Sequence, residues 1–263
     1  MDDNYQTYLN RVARMTLPEA YRSQVQHIRE SSKFHPTPDG VREAVPFPGY
    51  TVITPVSEED SKNADFYATL QIYQQELLQL PLEPDLIVPV PPARFHVTVA
   101  DLIRDSAFRD ACTANSDFEK ELRSCFADIF QQYQRSSNSK AKPIRWQVLG
   151  LMVLPRALGV CLVPQDESCY EQIVNLRRTI YQNQKLIALG IEQQYHFTAH
   201  VTLGYFGEIS PNLDRDRLGT MLSQLNQKWL LSSPEFVVER AEVRKFDNTI
   251  RYDREPDWPS LDF

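Results

Sequence analysis

Two short strings carry the chemistry of this chain: His96-Val97-Thr98 and His200-Val201-Thr202, 104 residues apart, from 96 to 200. Successive side chains on a strand point to opposite faces. In each string the imidazole and the hydroxyl therefore share one face, and the valine between them takes the other. If two such strands face each other, they enclose two imidazoles and two hydroxyls. One neutral imidazole can take a proton from an attacking hydroxyl or water, and one imidazolium can give a proton to the leaving oxygen. A histidine pKa of about 6.5 lets both forms exist near neutrality. The threonine hydroxyls can donate to non-bridging phosphate oxygens and hold the phosphorus in line. This is the chemistry of phosphodiester cleavage, and none of its steps needs a metal.

A single H-x-T carries little weight, because threonine is common in strands and short motifs recur freely. The matched pair carries the argument, and it uses two of only five histidines. His27 falls in an N-terminal helical stretch, where a surface or packing role is the default. His35-Pro36-Thr37-Pro38 also spells H-x-T, but its prolines keep it out of an internal strand. His196-Phe197-Thr198 is the real competitor, because parity puts His196 and Thr198 on the face of His200 and Thr202. His200 is preferred because Leu203-Gly204 follows its motif and allows close backbone approach. His196 is then a residue that supports the site from behind or stands at the rim of the substrate site. By the same parity Arg94 joins the His96 face, where it could steer an anion, and Phe206 joins the His200 face, where it could stack a base. Arg145, Arg244, Lys245 and Arg251 lie on or beside expected strands without a defined orientation.

The elements that must position these residues follow from periodicity. Thr16-Leu17-Pro18-Glu19 reads as a capping box that starts a helix to about Arg29. Ser, Pro and Gly over 31–48 read as a linker or wrapping loop. A strand is expected over 49–56, and a helix on the face of Phe66, Leu70, Tyr73, Leu77 and Leu80. Strands over 85–90 and 95–102 and a helix over 117–133 follow, with a Ser-rich surface loop over 135–142. The second half repeats the theme. It has a strand pair about Pro155, a helix over 168–189, a strand over 195–206, a helix over 214–229, a strand over 235–246 and a surface tail. The organisation expected is an N-terminal helical extension over 1–46, a two-lobed α+β domain over 47–250 and a tail over 251–263.

The composition limits the function further. A net charge of −7 argues against a protein that grips long duplex nucleic acid. It favours a nucleotide or the end of an RNA as partner. No apolar run approaches a membrane span and the first residues do not form a signal peptide, so a soluble cytoplasmic protein is expected. Cys112, Cys125, Cys161 and Cys169 form no C-x-x-C pair, and they read as reduced, mostly buried thiols rather than a zinc site. Only eight glycines are present, with no G-x-x-x-x-G-K-[ST], G-x-G-x-x-G or G-x-S-x-G string. No cofactor is expected.

Phe95-His96-Val97-Thr98-Val99 and Phe197-Thr198-Ala199-His200-Val201-Thr202-Leu203-Gly204-Tyr205 resemble the paired motifs of the two-histidine (2H) phosphoesterase superfamily, which includes the LigT-like RNA 2′,3′-cyclic phosphodiesterases. The resemblance spans about 48–247. It implies a bilobal α+β fold, two antiparallel-sheet lobes with flanking helices around a central cleft, related by a pseudo-two-fold axis. It further implies His96 and His200 as the acid/base pair, Thr98 and Thr202 as phosphate binders, and hydrolysis of a 2′,3′-cyclic phosphate on RNA ends or nucleotides. Three departures mark a divergent member: Ala199 where proline is common, the extra N-terminal segment and the long spacing between motifs. The alternatives are an ADP-ribose cyclic phosphate or signalling-oligonucleotide hydrolase, and a protein that binds a nucleotide or phosphate without turning it over.

Overall fold

The computed structural model describes residues 2–136, 143–231 and 234–263. In chain order the strands are β1 Phe34–Pro36, β2 Arg42–Ala44, β3 Gly49–Ile53, β4 Ile87–Pro89, β5 Thr98–Arg104, β6 Ile144–Leu154, β7 Ala157–Pro164, β8 His200–Phe206, β9 Glu235–Val238, β10 Arg240–Asn248, β11 Arg251–Asp253 and β12 Ser260–Asp262. The α-helices are α1 Tyr5–Met15, α2 Pro18–Gln24, α3 Ala64–Leu78, α4 Asp105–Ala114, α5 Phe118–Ser136, α6 Glu167–Tyr181, α7 Gln184–Ala188 and α8 Arg215–Trp229. Two five-stranded antiparallel sheets result. One runs β11-β10-β3-β5, with β12 also on β10, and the other runs β4-β8-β7-β6-β9. Each sheet contributes one H-x-T motif, as the bilobal α+β reading requires.

The two lobes are not the two halves of the chain. β4, from the first half, pairs with β8 in the second sheet, and β10, from near the C-terminus, pairs with β3 in the first. The strand expected over 235–246 is in fact two strands, which part at Glu239 and join different sheets. The tail is also structured, since β11 and β12 both pair with β10. Of the loop expected over 135–142, Arg135 and Ser136 end α5, and 137–142 lie outside the described residues.

The N-terminal segment holds two helices where one was expected. Thr16 ends α1 instead of capping α2: its hydroxyl donates to the Ala13 carbonyl (3.0 Å), and extended Leu17 takes the N-cap position. Tyr8, Val12, Tyr21 and Val25 are all buried in the common core. The Tyr8 hydroxyl donates to the Leu162 carbonyl (2.9 Å) and the Tyr21 hydroxyl to the Leu151 carbonyl (2.7 Å), so each buried phenol is satisfied. The stretch read as a linker contains the β1–β2 hairpin. The helix expected over 168–189 breaks at Gln182-Asn183, where the Asn183 side chain caps α7.

Candidate active site

The first motif enters the site from a turn. Pro91-Pro92 open a 3-10 turn over Pro92–Arg94, residues 95–97 are irregular, and the strand starts at Thr98. The Val97 amide donates to the Thr54 hydroxyl (3.0 Å) and the Val97 carbonyl accepts from the Thr54 amide (3.0 Å), which ties this stretch to the end of β3. The second motif is preceded by an irregular stretch over 195–199, which the N-terminal segment and α6 hold in place. The Phe197 amide donates to Asp2 Oδ1 (2.7 Å), Arg11 donates to the Phe197 carbonyl (2.5 Å) and the Thr198 hydroxyl (2.6 Å), and the Ala199 amide donates to the Tyr8 hydroxyl (3.2 Å). The residues before the first motif thus build the backbone that aims the second.

The two motif strands share a second device. Each carries one extra residue directly after its threonine. In β5 this is Val99, between the pairs Thr98↔Ile53 and Ala100↔Val52. In β8 it is Leu203, between Thr202↔Gly159 and Gly204↔Leu158. A bulge of this kind re-aims the side chains beyond it. Each bulge carbonyl accepts from a buried helical side chain: Val99 from Arg177 of α6 (2.5 Å) and Leu203 from Gln74 of α3 (2.6 Å). A side chain at Gly204 would not fit, because a Cβ there would stand 2.8 Å from Ile87 Cγ2 of β4.

The bulges decide which residues meet. His96, Thr98, His200 and Thr202 line one cleft between the sheets, with a volume of about 150 Å³, and Arg94 stands at its wall. Arg94 is ion-paired with Glu58. Beyond the bulges parity shifts by one. Asp101 of β5 and Tyr205 of β8 therefore face the cleft, and a second extra residue, Leu102, between Asp101↔Thr51 and Ile103↔Tyr50, returns Arg104 to it. Phe206, expected to do so, is fully buried in the core. His196 is not on the strand face expected for it. The chain at 196 is not a strand, and the imidazole is 60% exposed with Nδ1 3.4 Å from Asp3, outside the cleft. Several wall residues have no periodic signal in the sequence. Lys33 comes from the N-terminal segment, and Thr249 and Tyr252 come from the turn and strand after β10. The Tyr252 ring meets the His96 ring edge-on, with centroids 4.5 Å apart.

The two histidines are set in the same way. His96 Nδ1 lies 2.7 Å from the Arg94 carbonyl, and His200 Nδ1 lies 2.7 Å from the Thr198 carbonyl. A carbonyl only accepts, so in each ring Nδ1 carries the proton and donates. Nε2 is then the free, basic nitrogen of each neutral ring. Burial lowers the His96 pKa to about 4; nearby His200 and Arg244 push it the same way, against the Arg94 carbonyl and Asp101. Burial also lowers His200, with Lys33 adding to the effect against the Thr198 carbonyl and Asp101. Among the described residues no three His, Cys, Asp or Glu side chains gather as a metal-binding group, and no helix is long and apolar enough to cross a membrane. The four cysteines are unpaired, and three of them are buried.

Two H-x-T motifs, delivered from two antiparallel sheets to one cleft, define a member of the 2H phosphoesterase superfamily. The chain belongs to the 2H-phosphodiest family, described as a domain of unknown function (DUF1868), whose profile matches residues 20–154. That match includes the first motif and ends before the second. Nothing among the curated proteins matches the chain. Among solved structures it is similar to the conserved protein of unknown function ATU0111 from Agrobacterium tumefaciens, at 17% identity and a TM-score of 0.57, over 89% of this chain and 96% of that one. It also matches Escherichia coli LigT in complex with 3′-AMP, at 14% identity and a TM-score of 0.44, over 82% of this chain and 98% of that one. Family and fold point to a phosphoesterase.

Proposed function

We propose that the protein is a metal-independent phosphodiesterase that opens a cyclic phosphodiester, with a 2′,3′-cyclic phosphate of a nucleotide or RNA end as the substrate class. The observation that carries this reading is the matched setting of the two imidazoles. Each Nδ1 donates to the carbonyl two residues before it, which leaves two Nε2 atoms for proton transfer in one cleft. In the proposed reaction one Nε2 accepts the proton of the attacking water. Nε2–H of the other imidazolium protonates the ribose oxygen as the P–O bond breaks. His96, held neutral down to about pH 4, is the base in this scheme, and His200 is the acid. Thr98 and Thr202 donate to the non-bridging oxygens.

The test is turnover of 2′,3′-cyclic nucleotides in EDTA by the wild type and by His96→Ala and His200→Ala. Each substitution is expected to reduce turnover by a factor of about 10² to 10⁴, the usual contribution of one acid or base. Loss of wild-type activity in EDTA would remove the metal-independent claim. Tight nucleotide binding with no turnover of any cyclic substrate would favour the binding-protein alternative. Turnover confined to ADP-ribose cyclic phosphate or to a signalling oligonucleotide would keep the chemistry and change the substrate.

A further inference from the structure

We propose that Lys33, from the segment before β1, supplies the positive charge that binds the substrate phosphate in the cleft between His96 and His200. The proposal rests on the phosphodiester reading above and adds a residue that lies outside both motifs. A phosphodiester is an anion, yet the H-x-T residues offer it little charge. Both threonines are neutral, and burial favours neutral imidazoles. Two arginines at the cleft wall already have partners: Arg94 pairs with Glu58, and Arg104 lies 3.5 Å from Asp101. Lys33 differs from both. Among the described residues no carboxylate lies within ion-pair distance of its Nζ. Its polar contact is the Tyr205 hydroxyl at 3.4 Å, and Nζ sits over the rings of Phe47 (5.1 Å) and Tyr205 (5.0 Å).

The backbone around Lys33 is held on both sides, so the ammonium is presented by a fixed loop. The Ser31 amide donates to the Phe206 carbonyl at the end of β8 (2.8 Å), and the Lys33 carbonyl accepts from the Val45 amide (3.0 Å). The electrostatics agree with an anion-binding role. Desolvation lowers the Lys33 pKa to about 8, with Arg104 and Arg156 adding to the effect and Asp101 opposing it. A bound anion would reverse this shift, because an opposite charge at contact favours the ammonium.

The experiment uses sulfate as the probe, because its charge is constant from pH 5 to pH 10. Binding is followed by NMR shifts of the His96 and His200 rings at constant ionic strength, in the wild type, Lys33→Gln and Lys33→Arg. Lys33→Gln is expected to weaken sulfate binding about tenfold or more, in line with loss of one charged hydrogen bond. Lys33→Arg should retain most of it. Wild-type affinity should fall as pH rises through about 8, where the ammonium is lost, and Lys33→Gln should show no such step. With a cyclic nucleotide, Lys33→Gln should raise KM more than it lowers kcat. Equal sulfate affinity in the wild type and a folded Lys33→Gln, or no sulfate binding by the wild type, would overturn the proposal. If Lys33→Gln does not fold, the pH step in the wild type and its absence in Lys33→Arg, whose guanidinium keeps its charge, decide the matter. Lys33-dependent sulfate binding without turnover of any cyclic phosphodiester would refute the hydrolase reading and leave the anion site standing.

Discussion

Replacing Asp2 by alanine should remove about 3–5 kcal/mol of stability, although the residue lies at the edge of the fold. Asp2 and Arg177 form a buried ion pair at 2.7 Å, with side chains 3% and 1% exposed. Arg177 also donates to the Val99 carbonyl in the first motif strand (2.5 Å) and to the Tyr195 carbonyl ahead of the second (3.3 Å). Asp2 in turn accepts from the Phe197 amide (2.7 Å) and from Gln193 (2.8 Å). Without the carboxylate, the guanidinium stays buried with neutral partners only, and an uncompensated buried charge costs the amount given. At about 2–4 °C per kcal/mol for a chain of this size, the midpoint should drop by about 6–20 °C. Urea and thermal melts measure this directly. The exposed pair Lys62–Glu239, with side chains 60% and 58% exposed, is the control, and Lys62→Ala should leave the midpoint in place. A drop of less than about 1 kcal/mol for Asp2→Ala, the level of a surface ion pair, would refute the claim that Arg177 rivets the two motif strands together.

Other outcomes follow from the same geometry. The rate kcat/KM on a cyclic substrate should rise with pH through about 4 as His96 loses its proton. It should fall again through a value below about 6.5 as His200 loses its own, so the optimum is acidic; an optimum near pH 8 would refute the assignment of these two limbs to His96 and His200. Phe206→Ala should cost about 3–5 kcal/mol in a urea melt and leave KM per folded molecule unchanged, because the ring is in the core and not in the cleft. His196→Ala should keep the wild-type rate, since its ring stands outside the cleft.

Much of this molecule could be read from residue order, and the failures have a common cause. Strand alternation placed His200 with Thr202, which share one face of β8, and His96 reaches the cleft beside Thr98 from the irregular stretch just before β5. One residue later the alternation fails in both strands. The bulges at Val99 and Leu203 exchange faces, which sent Phe206 inward and brought Tyr205 and Asp101 to the cleft. Nothing local marks these bulges, since the groups that satisfy them, Arg177 and Gln74, are distant in the chain. His196 was misplaced for a related reason. Its segment resembles a strand in composition, but its backbone bonds go to Asp2, Tyr8 and Arg11. Apolar periodicity found α3, α5 and α8, each of which buries one continuous face. Lys33 and Tyr252 were invisible because they reach the site through tertiary placement of loops and a short edge strand.

The exchange of strands between the sheets also bears on how the chain is made. The first sheet needs β10, β11 and β12, which occupy Arg240–Asp262, and the second needs β9 at Glu235–Val238. As the polypeptide leaves the ribosome from its N-terminal end, neither sheet can gain its last strands until more than 230 residues have been synthesised. Domains usually fold one after another during synthesis. Here the two lobes must finish together, through pairings between distant parts of the chain, which is the slow class of folding. During that interval the apolar faces of β3, β5 and β8 are exposed, so the nascent chain has a long window in which it depends on protection from aggregation.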